Sequence, residues 1–319
     1  MMFGTKDTFH YFFCDYCRCL LLIDPPDDLS PYYPSDKYYA FRESEDAARS
    51  AGKLRQIVKR IRDRTQCLSR GGPLGWLVRN YPNYDALDIA RWLKHTNVRS
   101  HRARILDVGC GHGELLSMMH SLGFTSLTGI DPFAPREITT PFRICRQSID
   151  SLVGHKFDLV MMHHSLEHMP DQHLAMQSIQ QILAEDGVCL VRIPITSQGP
   201  WKMYGTDWVE IDAPRHFIIH SEFSLSLAAR QAGLAIAKIQ YESEPFSYGV
   251  SEMYQRDIPL IDMESNESRE WSATYSKDDL ARFDHMAKEH SVPGWAGRAA
   301  FYLTHSDSKL HAESVEVVR

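Results

Sequence analysis

The sequence predicts an α/β fold in which a mostly parallel, doubly wound sheet is covered by helices on both faces, with an N-terminal extension and a C-terminal insertion. Two observations carry this prediction. Between residues 104 and 241, short apolar runs alternate with segments of helical periodicity, the pattern of parallel strands joined by helical crossovers. The first of those runs leads into three closely spaced glycines and then at once into a helix. Such a turn suits a backbone that must take positive φ and let a ligand come close.

Taken in order, residues 1–42 are rich in aromatics and cysteines, broken by Pro25-Pro26, Pro31 and Pro34, and without clean periodicity. From Glu43 to Gln66 the apolar residues Ala47, Ala51, Leu54, Val58 and Ile61 recur every three or four positions, which predicts a helix. Its acidic start and basic end complement a helix dipole, and Gly71-Gly72-Pro73 then breaks the chain. Strands are expected at 104–108, 126–130, 142–145, 157–162, 188–193 and 234–241, and helices at 114–122, 171–183 and 222–232. This divides the chain into an N-terminal segment (1–75), a core (76–241), an insertion with one more strand at 299–304 (242–305), and a polar tail (306–319).

Composition sets the broad class. With 43% hydrophobic and 24% charged residues, the 319-residue chain reads as an ordinary globule with enough apolar material for a sizeable core. The formal net charge of -6 gives no electrostatic reason to expect nucleic acid or an anionic membrane as partner. No apolar run approaches the roughly 18 residues of a membrane span. Leu20–Ile23 is too short for a signal core. Seven cysteines without a secretion signal favour reduced thiols, and the cytoplasm is the expected compartment.

The strongest motif is Arg104-Ile-Leu-Asp-Val-Gly-Cys-Gly-His-Gly-Glu-Leu-Leu116, followed by Gly129-Ile130-Asp131 at the end of the next strand. Asp131 stands roughly 20 residues beyond the glycines, where a carboxylate can hydrogen-bond a ribose diol. A nicotinamide dinucleotide favours a third glycine one position later, which is Glu114 here, and an acid at the helix start repels a pyrophosphate. S-adenosylmethionine carries no phosphate, and its ammonium and sulfonium groups tolerate the acids Asp107 and Glu114. The charge balance therefore favours the methyl donor.

Ile105–Gly113 resembles the signature loop of class I, Rossmann-like methyltransferases. Phe157-Asp-Leu-Val-Met-Met-His-His-Ser-Leu-Glu-His-Met-Pro-Asp171 resembles their fourth-strand segment, particularly in a subgroup with Leu-Glu-His, and Ala184–Val191 resembles the run into the fifth strand. The resemblance implies a seven-stranded, mostly parallel sheet whose antiparallel last strand, 299–303, inserts beside the sixth. It further implies that Asp107, Gly109 and Gly111 cradle the methionine portion of the donor and that Asp131 binds its ribose. Ser148 and Ile149 would meet the adenine edge, with Asp150 as the alternative, and His163 would line the methionine side. Cys110 in the loop and Pro132 after Asp131 complete the expected cofactor-binding set.

Methyl transfer from a sulfonium asks the protein to align nucleophile, methyl and sulfur and to exclude water. A hydroxyl or amine acceptor additionally asks for a base, usually histidine. His216, in a Trp208…Asp212-Ala-Pro-Arg-His216 segment that resembles one in the same subgroup, is the first candidate, and His164 the second. A histidine bonding a backbone carbonyl is the competing reading of each. Ubiquinone-pathway O-methyltransferases are similar around Glu167-His168 but carry Glu-x-x-Glu-His, which is associated with a divalent ion. Here His164 replaces the first carboxylate, which weakens the preference of a hard cation. Glu167 and His168 therefore read as anchors of the loop and helix start, and no metal is expected.

Trp201, Tyr204, Trp208, Phe246, Tyr248, Tyr254, Trp271 and Tyr275 read either as a lid over a planar substrate or as a satellite core. At the N-terminus only one Cys-x-x-Cys is present, Cys14 and Cys17, so a closed zinc site lacks ligands and partly buried thiols are the favoured reading. The functional expectation is a methyltransferase acting on a small molecule, O-methylation ahead of C- or N-methylation. The alternatives are a protein or RNA methyltransferase and a binder that keeps the fold without catalysis.

Overall fold

The computed structural model describes residues 7–33, 53–68, 83–261 and 270–308. The expected helix start at 43–52, the Gly71–Pro73 break and the tail from 309 lie outside the described residues. Ten strands and eight α-helices are used below. The strands are β1 (His10–Phe13), β2 (Leu20–Ile23), β3 (Arg104–Val108), β4 (Ser126–Ile130), β5 (Arg143–Cys145), β6 (Phe157–His163), β7 (Leu183–Pro194), β8 (Ile218–Ile219), β9 (Leu234–Glu242) and β10 (Arg298–His305). The helices are α1 (Lys53–Leu68), α2 (Tyr84–Leu93), α3 (Glu114–Ser121), α4 (Gln172–Ile182), α5 (Pro200–Tyr204), α6 (Glu222–Gln231), α7 (Pro245–Gln255) and α8 (Lys277–His290).

A seven-stranded sheet runs in the order β5–β4–β3–β6–β7–β10–β9, mostly parallel with one antiparallel end. This is the expected α/β architecture. The last strand inserts between β7 and β9, beside the sixth strand of the core as the resemblance implied. Strands β3, β4, β5 and β6 pair in parallel, with Asp107 opposite Gly129 on β4 and Met161 on β6. Chain order reverses at β3, whose neighbours are β4 on one side and β6 on the other. In open α/β sheets such a reversal marks the ligand end of the strands.

Two compact units divide the chain. One comprises Tyr39–His163, Gln177–Leu190 and Tyr302–Arg319 and is called the glycine-loop unit; the other comprises Met1–Tyr38, His164–Met176 and Val191–Phe301 and is called the insertion unit. In the glycine-loop unit, Ile105, Leu106, Leu116, Met119 and Phe124 are fully buried. Asn83 caps α2, its side chain accepting from Ala86 N.

The insertion unit holds a three-stranded sheet, β1–β2–β8, that composition did not reveal. Strands β1 and β2 have only four residues each, too short for a clear alternation. Burial supplies the pattern: Leu20 and Leu22 face inward while Leu21 and Ile23 are exposed. Among the described residues of the 242–297 excursion are α7 and α8, and Ser276 caps α8 through a capping box with Asp279. Leu20, Tyr204, Trp208, Ile219, Tyr248 and Phe283 form one buried cluster there, with Trp201, Trp271 and Tyr275 packed against it. The aromatics are thus a satellite core rather than an open lid, with Trp208 Nε1 donating to Ser247 Oγ at 3.2 Å. Strand β7 starts at Leu183, ahead of the expected Val188. Its first turn exposes Glu185 and Asp186 and so carries no hydrophobic signal.

Candidate active site

In the glycine-loop unit, β3 ends at Val108 and the chain turns through Gly109, Gly111 and Gly113 at φ 76, 54 and 86°. These are left-handed values that an L side chain adopts only with strain. The bend is tied down by Gly109 N donating to Ile130 O at 2.8 Å and Gly113 N to Cys110 O at 2.8 Å. Gly113 then opens α3. A Cβ on Gly129 would stand 2.6 Å from Cys110 Sγ, which is why a glycine faces the loop from β4.

Asp131 follows β4 directly. Its Oδ2 accepts from Gly111 N at 2.9 Å and its Oδ1 from Phe133 N at 2.8 Å. The carboxylate expected to meet a ribose therefore also braces the glycine loop and the turn through Pro132. Asp107 is buried at 4% exposure in β3. Burial, and then the nearby Asp131 charge, push its carboxyl up to about 7. Two carboxylates beside a loop of positive-φ backbone suit a cationic ligand without phosphate, and so fit the sulfonium and ammonium of S-adenosylmethionine. Burial likewise pushes the Cys110 thiol well up.

Ser148 precedes a short 3-10 turn, Ile149–Leu152, in which Ile149 is buried. Its Oγ donates to Asp150 Oδ1, so the two alternatives for the adenine edge form one hydrogen-bonded pair. His163 ends β6, its ring 4.4 Å from that of Trp92. All nine expected cofactor residues thus lie in one unit, at or just beyond the ends of β3, β4, β5 and β6, apart from Asp107 within β3.

The histidine candidates lie in the insertion unit. His164 takes φ +51°, a strained value for a non-glycine residue. Its Nε2 faces Arg192 Nη1 at 2.9 Å and its Nδ1 faces Glu167 Oε1 at 3.2 Å. A guanidinium only donates, so Nε2 accepts and Nδ1 carries the proton, which is given to Glu167. His164 thereby orients Glu167. His216 is buried; its Nδ1 lies 2.7 Å from Glu210 O, a carbonyl that only accepts, so its Nε2 bears the lone pair, 3.7 Å from Asp212 Oδ2. His168 is fixed the same way, Nδ1 lying 3.0 Å from Arg215 O and 3.2 Å from Tyr33 Oη. The rings of His168 and His216 stand 4.6 Å apart.

Charge surrounds this group. Arg298 bonds Glu210 and Glu244, Arg192 bonds Glu242 and Glu244, and Arg215 bonds Asp212. Burial, offset in part by a backbone hydrogen bond, pushes Glu167 up to about 8, and burial together with His216 holds His168 down to about 3. Burial also lowers His216. Both imidazoles are therefore neutral near pH 7. Sequence reasoning missed Glu210, Arg298 and Arg192 as parts of this network. Arg192, a lone cation inside the apolar run Val188–Pro194, was a signal for it.

At the N-terminus, Cys17 Sγ lies 3.4 Å from Cys19 Sγ, and Cys14, Cys17 and Cys19 are partly exposed free thiols. No helix among the described residues is long and apolar enough to cross a membrane.

A family model described as "Methyltransferase domain" matches residues 79–239, half of the chain. The chain belongs to that family. Its seven-stranded, mostly parallel sheet is that of a Rossmann-like α/β fold. The chain is 35% identical over 104 residues to a ubiquinone biosynthesis O-methyltransferase of Glaesserella parasuis, a match covering 28% of this chain and 44% of that protein. The match thus spans less than half of that curated relative. Among solved structures, a SAM-dependent methyltransferase from Archaeoglobus fulgidus has a TM-score of 0.43 at 16% identity, covering 69% of this chain and 92% of that one. The cyclopropane synthase MmaA2 of Mycobacterium tuberculosis has a TM-score of 0.44 at 16% identity, with coverages of 68% and 82%.

Proposed function

We propose that this chain is an S-adenosylmethionine-dependent methyltransferase that transfers the methyl group to a hydroxyl of a small molecule. The observation that carries the reading is the lone pair of His216: a buried imidazole, kept neutral, with Nδ1 fixed on the Glu210 carbonyl and Nε2 left able to accept a proton. Bound S-adenosylmethionine supplies the activated methyl. Asp107, Gly109, Cys110 and Gly111 would hold its methionine portion, Asp131 with Pro132 its ribose, Ser148 and Ile149 its adenine, and His163 would line the methionine side. His216 would relieve the acceptor of its proton, and His164 would keep the Glu167 carboxyl turned toward His216 and His168. The resemblance to a ubiquinone biosynthesis O-methyltransferase supports the choice of oxygen. The acidic net charge supports a small molecule over nucleic acid.

Turnover of labelled donor against a panel of phenols, alcohols, amines and thiols tests this reading. Label is expected in a hydroxyl acceptor. His216→Ala should lower kcat by about 100-fold or more while donor affinity stays within twofold. Transfer only to amines, thiols or macromolecules would overturn the acceptor, and an unchanged kcat the role of His216.

The Asp107 shift gives a pH prediction. A carboxyl raised from 3.8 to about 7 contributes stability at low pH, and that contribution is lost as pH rises through about 7. A cationic donor beside it favours the ionised form. Donor binding near pH 7 is therefore expected to release a fraction of a proton, measured by calorimetry in buffers of different ionisation enthalpy. The thermal stabilisation by donor should grow between about pH 6 and about pH 8. Asp107→Asn should abolish the release; unaltered release in that variant would exclude Asp107 as its source.

A further inference from the structure

Glu167, His168 and His216 each present one donor atom, and these atoms all lie within 4.8 Å of one another. The three come from two segments 48 residues apart, so no local spacing announces them. Glu167 Oε1 accepts a hydrogen bond from His164 Nδ1, while Glu167 Oε2 is buried and has no hydrogen-bond partner among the described residues. A buried carboxylate oxygen left in this state is costly and asks for a partner. Both imidazoles have Nδ1 committed to backbone carbonyls, which leaves Nε2 of each as a lone pair. Metal-ligating histidines carry this outer arrangement, the second nitrogen tied to a carbonyl that fixes tautomer and ring orientation.

The named charges around the cluster also favour a cation. Glu167, Glu210, Asp212, Glu242 and Glu244 are five carboxylates, set against three guanidiniums, those of Arg192, Arg215 and Arg298. Apart from Glu167 itself, the four other carboxylates leave one negative charge in excess of the three guanidiniums among these described residues.

We infer that Glu167, His168 and His216 form a binding site for one divalent cation of the zinc class. Two imidazoles and one carboxylate suit zinc, whereas magnesium and calcium prefer oxygen donors throughout. Three protein ligands leave a fourth position open, the mark of a catalytic rather than a structural site. Around a tetrahedral ion with bonds of ~2.0–2.1 Å, the donor atoms stand roughly 3.4 Å apart, so the three, already within 4.8 Å of one another, would draw closer on binding. The binding claim is independent of the acceptor. What the ion would do rests on the hydroxyl reading above: in the ion-free protein His216 is the base, whereas with the ion bound its lone pair would be engaged and the ion would instead lower the pKa of a coordinated hydroxyl, whose proton passes to solvent.

The test uses the full chain, untagged, with Cys14, Cys17 and Cys19 changed to Ser so that thiolates are removed as ligands. Titration with Zn2+ alone is expected to give one tight site per chain. Co2+ should give the intense visible bands of a tetrahedral ion without a thiolate charge-transfer band. Glu167→Gln preserves the side-chain shape and an acceptor for His164, and is expected to weaken Zn2+ binding at least 100-fold. His216→Asn should do the same, and donor binding in both variants serves as the check that they are folded. The inference is overturned if the folded triple-Ser protein binds no Zn2+, or if both ligand variants bind it as tightly as their parent. Loss of methyl transfer with Zn2+ binding intact would count against the hydroxyl reading and leave the site standing.

Discussion

Asp131→Ala is expected to weaken donor binding by about 1–3 kcal/mol, the range for lost hydrogen bonds to a charged group, which is roughly 5- to 150-fold in affinity. The upper part of that range is favoured by what Asp131 does besides meeting a ribose. Its two oxygens hold Gly111 N and Phe133 N, so its loss frees the loop that shapes the site as well as removing a contact. Asp131→Asn keeps one acceptor and should fall between the parent and the alanine variant. Calorimetric titration with S-adenosylmethionine measures both. Affinity unchanged in the alanine variant would remove Asp131 from the donor site.

Arg298→Met is expected to destabilise the protein by about 3–5 kcal/mol, because it leaves the buried Glu210 carboxylate without its counter-charge. Arg298 is tied to Glu210 by two nitrogens and to Glu244 by a third, and Glu210 is 7% exposed. The comparison that gives this meaning is Arg104→Met. Arg104 bonds Asp158 at 2.6 Å with side chains 50% and 37% exposed, and such surface pairs contribute about 0–1 kcal/mol. Urea unfolding of the two variants should separate them clearly. If Arg298→Met cost no more than Arg104→Met, the buried network would not be a structural support. Glu210 also offers the carbonyl that orients His216, so the Arg298 variant should lose turnover along with stability.

The glycine-loop segment was legible because its parts are local. The strand into Gly109, the helix out of Gly113 and the acid at 131 fall within thirty positions or so, and hydrophobic periodicity fixes how they follow one another. Strand bounds at β3 and β4 match their expected ranges residue for residue. The N-terminal hairpin was not legible, since four-residue strands paired with two residues near 218 leave no periodic trace. Ser148 and Asp150 could not be separated by sequence, and in the structure they are joined by a hydrogen bond.

The sequence by itself determined the fold class and the order of strand, glycine bend and following carboxylate, because these lie close together in the chain and report their geometry through spacing. Only the tertiary structure decided that His164 turns inward to Arg192 and Glu167, and that His216 joins His168 and Glu167 rather than standing alone. A histidine's chemistry depends on which nitrogen is already bonded and on what buries it, and those partners come from strands and loops that the linear order keeps far apart.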